Sequence, residues 1–444
     1  VRVFVFAGIA LVFAIDRAAA QAVPDTVHVR LDTTLTLDEA LAHAERPNPD
    51  VARAVAGVSD ARSAQRVALG NYLPSVELAA TATNANRSTP QIPLEQVLPG
   101  HAYSAGAVAS LDLFTAGRRG AQTRQASAER RAAEATLVDR RFAARYAVEV
   151  DFLEVLRADE VIMTAQSRVA QDEEALDAAR HRLDAGTTTR SDVLRAGVEL
   201  ASAREALLAA EAARTSAAYE LGRVTGLGGA VGASQADSTI VRPLPLPGRD
   251  LVALIAGTGP TVRAAQATLE SAQATTRAAR TEYFPTLNAT GGFSWVNQDA
   301  IRDGTQPING LYGSGQAWQV RLGFVYPLFN GFQREDAIER AKADATAAAV
   351  ARDDEQRAAR SSAERGVVSL TVAADRIELA DEAVAQARED LRVQATRYQA
   401  GASTLLDRLT SEAALVAAQQ DLVTARYDYG VARAQLEALA GRTL

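Results

Sequence analysis

Two aspartates, Asp192 and Asp407, each stand six residues past a glycine, Gly186 and Gly401. The residues before those glycines also correspond: Arg182-Leu183-Asp184-Ala185-Gly186 and Arg397-Tyr398-Gln399-Ala400-Gly401. The chemistry these residue types offer is electrostatic. A glycine permits a tight turn, and an arginine in that turn offers donors to a partner's carbonyl groups. A carboxylate one or two turns further on complements the positive end of a new helix. Catalysis has no comparable basis. The histidines, His28, His43, His101 and His181, are scattered and unpaired, and there is no cysteine. That excludes a disulfide framework and a thiol metal site and leaves histidine too sparse for a metal centre. No nucleophile–base set or phosphate loop appears, so no enzyme and no cofactor are expected. A net charge of -7 argues against nucleic acid as a partner.

The elements that must position these residues are duplicated. Tyr72-Leu73-Pro74 returns as Tyr283-Phe284-Pro285, 211 positions on, and Leu113-Phe114 returns as Leu328-Phe329, 215 positions on. Leu200, Ala203, Leu207 and Ala210 return as Leu415, Ala418, Leu422 and Ala425. Residues 21–228 and 249–444 are therefore two structural repeats, with residues 229–248 as a Gly- and Pro-rich linker. Aromatic residues make up only 5% of the chain and alanine dominates its apolar content, which suits long, closely packed helices better than a thick globular core.

Each repeat opens with short helices. Thr36 is a cap for Glu39, and Pro49 starts a helix that Pro74 ends. The period then changes to two. Val76, Leu78, Ala80 and Ala82, and after a polar loop Tyr103, Ala105, Ala107, Ala109, Leu111 and Leu113, alternate with polar or small residues, predicting a hairpin over about residues 75–114. The second hairpin, about residues 286–328, alternates more clearly through Leu287, Phe293 and Trp295, then Trp318, Val320, Leu322, Phe324 and Tyr326. Trp295 and Trp318 lie on the apolar face near the loop end, the position of interfacial aromatics in a membrane barrel. A soluble sandwich with one packed face shows the same alternation. Helices are predicted over about residues 118–185 and 190–222, then 333–400 and 403–440. The longest run to on the order of 100 Å. Val193, Ala196, Leu200, Ala203, Leu207 and Ala210 form a heptad seam.

At the N-terminus, Arg2, the apolar run Val3 to Ile15 and the small residues around Ala18-Ala19-Ala20 read as an export signal over residues 1–20. With no cysteine near the cleavage site, no lipid attachment is expected there. Four amphipathic strands cannot close a barrel, and an open edge is not tolerated in lipid. The residues therefore point to a symmetric oligomer of unstated number. A soluble periplasmic coiled-coil adaptor or scaffold is the rival; it gives no reason for apolar strand faces carrying Trp295 and Trp318.

Taken in order, several motifs resemble the TolC family of outer membrane efflux and secretion channels. They are Leu35-Thr36-Leu37-Asp38-Glu39-Ala40-Leu41 with Asn48-Pro49, Tyr72-Leu73-Pro74-Ser75, Tyr326-Pro327-Leu328-Phe329-Asn330-Gly331, and the two glycine turns. The resemblance covers nearly all of the chain beyond the export signal. It implies an α+β membrane protein built mostly of long helices. Three chains would form a twelve-stranded barrel in outer membrane lipid, continued by a twelve-helix α-barrel across the periplasm. The function implied is the passive exit duct of a tripartite efflux pump or type I secretion system, with a periplasmic adaptor (membrane fusion) protein and an inner membrane transporter as partners. The implied adaptor contacts are Arg182, Leu183, Gly186, Thr187, Arg397, Gly401 and Ala402. The implied pore constriction is Asp407 and Asp192, the latter bonded to Tyr398. Thr410 and Ser403 stand where the family has an acid and often an arginine. Asp112 stands where the second repeat has Pro327, which is expected to alter the strand-to-helix corner and little else.

Overall fold

The computed structural model describes residues 33–46, 48–85, 100–234, 244–298, 302–303, 306–307 and 315–444. The expected export signal and His28 lie outside them. In chain order the elements are β1 (Thr33–Leu35), α1 (Leu37–Ala44), α2 (Pro49–Gly70), β2 (Ser75–Ala85), β3 (Gly100–Phe114), α3 (Arg118–Asp184), α4 (Arg190–Thr225) and β4 (Val231–Ala233). The second half holds α5 (Gly248–Thr258), α6 (Pro260–Arg280), β5 (Thr286–Gln298), β6 (Arg302–Asp303), β7 (Gln306–Pro307), β8 (Gly315–Val325), α7 (Gln333–Gln399) and α8 (Leu405–Ala440). Among the described residues no helix is long and apolar enough to cross a membrane.

Local sequence explains the starts. Thr36 and Glu39 form a reciprocal capping box at α1. The Asn48 side chain accepts from the amides of Asp50 and Val51, with Pro49 at the first position of α2. α3 and α7, 67 residues each, contain no proline and extend on the order of 100 Å. Each outlasts any partner, so two shorter helices stack along it. On α3, Ser127 meets Gln65 of α2 and Arg131 meets Glu270 of α6. Further down, Asp159 meets Arg214 of α4 and Glu160 meets Tyr427 of α8. The molecule is thus a row four helices wide at two levels: α2–α3–α6–α7 near the strands and α4–α3–α8–α7 toward the two turns.

The strands repeat that row in one antiparallel sheet, β2–β3–β5–β8. Register fixes the faces. Leu78, Ala107, Phe293 and Trp318 are successive partners across the sheet, as are Val76, Ala109, Gly291 and Val320. Most of the apolar residues of all four strands therefore share one face. The opposite face carries Thr81, Ser104, Asn288, Thr290, Gln319 and Arg321. There the hydroxyls of Ser75 and Ser110 lie 2.7 Å apart, and those of Thr81 and Ser104 2.6 Å.

Two apolar cores sit where the helix levels meet. One joins Leu35, Val148, Phe152, Val155, Leu221, Val231 and Tyr427. The other joins Leu251, Ile255, Ala363, Leu370 and Leu436. The first core corrects the reading of residues 229–248 as plain linker. Val231–Ala233 is a strand, parallel to Thr33–Leu35, because Val231 and Leu35 are both buried and Ser234 N–H closes onto Leu35 O at 2.8 Å. The two strand-to-helix corners also differ. β8 ends at Val325 ahead of Pro327, which has no N–H to give a ladder. β3, with Asp112 in that place, continues to Phe114 through a bulge between Asp112 and Phe114, and Asp112 pairs with Arg118 at 3.7 Å.

A close helix approach lies in the second core. A Cβ on Gly366 would stand 2.7 Å from Cδ2 of Leu436, whereas one on Gly257 would meet nothing within 4 Å. Gly366→Val is expected to lower stability by about 1–3 kcal/mol through overpacking. Gly257→Ala should be neutral or raise it by up to about 1 kcal/mol. Thermal melts of the detergent-solubilised protein compare the two. Equal melting of both variants would contradict tight α7–α8 packing.

Candidate functional site

The site forms where α3 turns into α4 and α7 into α8. Both long helices end in the same hydrogen-bonded motif. Gly186 and Gly401 both take φ +71°, a left-handed conformation that glycine adopts without strain. Thr187 N–H then donates to Arg182 O at 2.9 Å, and Ala402 N–H to Arg397 O at 2.8 Å. Three residues beyond each glycine a threonine caps the next helix. Thr189 Oγ1 accepts from Asp192 N–H at 3.3 Å and donates to Asp192 Oδ2 at 2.8 Å. Thr404 Oγ1 accepts from Asp407 N–H at 3.2 Å and donates to Asp407 Oδ2 at 2.7 Å. Each aspartate is thus the third residue of its helix and half of a capping box.

These bonds hold the charge in place. Hydroxyl bonds from Thr188 and Thr189, then the Thr189 amide, hold the Asp192 carboxyl below the usual aspartate range. The Thr404 amide and hydroxyl do the same for Asp407. A carboxyl lowered in the folded state supports that state above the ordinary aspartate range and loses that support only as pH falls through the lowered value. Both groups are therefore anionic at any physiological pH. Only Oδ2 of each aspartate is engaged by its cap, which leaves Oδ1 outside the capping box.

The two turns touch through a contact other than the one expected. The guanidinium carbon of Arg182 sits 4.3 Å from the centroid of the Tyr398 ring, a cation–π contact from α3 to α7. The Tyr398–Asp192 bond implied by the family resemblance does not form within this protomer. The Asp192 carboxylate is occupied by Thr188 and Thr189, and the Tyr398 ring lies under Arg182. Arg182, Leu183 and Tyr398 are half-buried, while Gly186, Thr187, Arg397, Gly401, Ala402 and Asp407 are exposed. At the far end of the molecule Trp318 is exposed and Trp295 half-buried, both on the apolar sheet face.

Sequence reasoning missed a second aromatic belt. Tyr72, Phe114, Tyr283, Phe284, Tyr326, Phe329 and Phe332 are all exposed at the strand-to-helix corners. Two of these rings are covered by repeat-related arginines, Tyr72 by Arg119 at 4.9 Å and Tyr283 by Arg334 at 3.9 Å. Repeat offsets of 211 for the tyrosines and 215 for the arginines were the available signal. With Trp295 and Trp318 at the loop end, the apolar face is bounded by aromatics on both sides, as at the two interfaces of a bilayer. Among the described residues no group of three or more His, Cys, Asp or Glu side chains is placed to hold a metal ion.

Comparison with known proteins agrees with this geometry. Residues 39–227 and 252–442 match the family model of outer membrane efflux proteins, one match to each repeat. Protein CyaE of Bordetella pertussis is 28% identical over 394 residues, 86% of this chain and 77% of that protein. The outer membrane efflux protein BepC of Brucella suis is 26% identical over 302 residues, 67% of this chain and 63% of that protein. The fold superposes on the outer membrane protein VceC of Vibrio cholerae with a TM-score of 0.74 at 20% identity, over 92% of this chain and 96% of that one. The chain belongs to the outer membrane efflux protein family, whose members are channels rather than enzymes, and is an outer membrane exit channel that extends into the periplasm.

Proposed function

We propose that three copies of this chain close edge to edge into one duct, whose turns meet a periplasmic adaptor and whose aspartates ring its narrow end. The observation that carries the reading is the pair of unpartnered edges. In the lower row α4 and α7 are the outer helices, and each shows an apolar stripe on the side opposite its buried seam. On α4 the stripe is Leu194, Val198, Leu208 and Tyr219; on α7 it is Val368, Val372, Leu379 and Val393. The spacings within each stripe are close to whole helical turns. The seams behind them hold Ala196, Leu200, Ala203 and Ala210 on α4 and Ala359, Ala363 and Leu370 on α7. An α4 edge laid on the α7 edge of the next copy buries both stripes. Strand β2 of one copy beside β8 of another leaves no open edge in lipid. Such a head-to-tail contact closes into a ring when the rotation permits, and family members are trimers. A soluble scaffold would leave the apolar sheet face without a purpose.

The lipid face should be intolerant of charge. Leu322→Arg costs about 2–4 kcal/mol at the bilayer midplane, so less trimer should reach the membrane fraction. Arg321→Ala, on the polar face of the same strand, should assemble normally. A Leu322→Arg protein that is as abundant in the membrane as wild type would refute the orientation of the sheet.

The turns should be needed for coupling and not for assembly. Gly186→Trp or Gly401→Trp forces a left-handed conformation on a bulky residue far from the barrel. Trimer and insertion should persist while transport in cells fails; transport at wild-type level would place the adaptor contact elsewhere.

Symmetry turns Asp407 into a ring of carboxylates that concentrates cations. Single channels in planar bilayers should be cation-selective and blocked by multivalent cations from the periplasmic side. Asp407→Asn should weaken both properties and leave assembly unchanged. Unaltered selectivity and block would mean that Asp407 is a helix cap and nothing more.

A further inference from the structure

Below the core that contains Val423 and Tyr427, the contact between the two helical hairpins changes character. The buried apolar clusters there each stay inside one hairpin. Leu176, Ala179, Ala196 and Leu200 join α3 to α4, and Val384, Leu415 and Leu422 join α7 to α8. What faces across the α3–α8 seam is charge. Arg168 and Asp172 of α3 lie against Arg408 and Glu412 of α8, with Glu199 of α4 beside them. On the α7 side, Ser411 donates its hydroxyl to Asp390.

The two carboxylates at the centre of this group are buried and incompletely paired. Asp172 is 2% exposed and Glu412 4%. Their ion pairs are long: 3.7 Å from Arg168 Nε to Asp172 Oδ2 and 3.8 Å from Arg408 Nη2 to Glu412 Oε2. Arg168 is shared with Glu199 at 3.5 Å. Neither oxygen of Glu412 nor Oδ2 of Asp172 receives a hydrogen bond. Asp172, Glu412 and the half-exposed Glu199 thus face Arg168 and Arg408, one carboxylate more than there are guanidinium groups. Leaving such a charge buried without full pairing is costly, and a proton on one carboxylate removes the excess.

We propose that the buried Asp172–Glu412 pair is an acid-tightened latch between the two helical hairpins. One proton held there keeps the turns of the duct together, and its release to water at higher pH lets the hairpins part. Burial pushes both carboxyls up from the ordinary range; Arg168 and Arg408 oppose this, and the neighbouring carboxylates add to it. A carboxyl raised in the closed seam binds its proton more tightly there than when hydrated. The closed seam is therefore favoured as pH falls through the raised value and loses that support as pH rises above it. Asp172 precedes Gly186 by 14 residues and Glu412 follows Gly401 by 11. The latch thus sits about 15–20 Å from the turns, far enough for a small parting of the seam to separate them. The latch rests on the reading of the turns as the closed end of a duct.

The chain has no native cysteine, so spin labels on Ala185→Cys and Ala400→Cys report the separation of the turns in the full-length, detergent-solubilised protein. The label distance should lengthen as pH is raised through the raised carboxyl range, and resting conductance in planar bilayers should rise several-fold over the same titration. Glu412→Gln copies the protonated side chain and should hold both readings at their acid values throughout. Should that variant not assemble, Asp172→Asn makes the same test. A wild-type distance that ignores pH, or a Glu412→Gln protein that titrates like wild type, overturns the latch. A protein that conducts at no point of the titration overturns the duct reading instead, while the label distances still decide the latch.

Discussion

A strand edge exposed to lipid is a row of unmade hydrogen bonds, and this chain has two of them. Its sheet ends at β2 on one side and β8 on the other. The helices inherit the same condition, because α2, α3, α6 and α7 continue the strand order without crossing. An open row one layer thick has little interior. Its two larger cores therefore lie at the level where α1, α5 and the β1–β4 pair fold over the row. Much of the remaining apolar surface lies on the sheet face and on the outer sides of α4 and α7. Stability, oligomer and membrane placement thus follow from one requirement: the edges must find partners.

Duplication makes the row regular. The repeats give two long helices of equal length, two identical turns and two arginine-covered tyrosines at the corners. The offset between repeats grows by four residues between Pro285 and Leu328, inside the second hairpin, so the extra residues fall where the helical register is untouched. The corners absorb the remaining asymmetry. A proline ends β8 early, and a bulge carries β3 further. Neither change alters the order of the strands.

Periodic features were legible from sequence because each residue in them reports on its neighbours. The long helices, the alternating strands and the seam at Ala196, Leu200, Ala203 and Ala210 are of this kind. The glycine turns were legible because a left-handed residue leaves few alternatives. The pairing of β1 with β4 was not, since three residues carry no period and their partner lies almost 200 positions away. Nor was the Arg182–Tyr398 contact: either residue alone reads as solvated, and only the fold stacks one on the other. The same holds for Asp172 and Glu412. A single acid on a long helix normally faces water, and nothing in its local sequence says that a second hairpin covers it.

The division of apolar and polar packing along α3 and α8 bears on the proposed parting of the two hairpins. At mid-height the seam between repeats is apolar, closed by Val155, Val423 and Tyr427, whose hydroxyl donates to Glu160 at 3.1 Å. Apolar packing of that kind is hard to part, because separating the two faces exposes both to water. Toward the turns, the hairpins face each other through charged side chains, whose ion pairs each stay inside one hairpin, and through one cation–π stack; such contacts exchange for hydration at lower cost. Each hairpin meanwhile keeps its own apolar seam. Under the proposed latch the lower hairpins separate as intact units while the apolar packing at mid-height holds, because the acids and arginines of α3 and α8 stand on the stretch that parts.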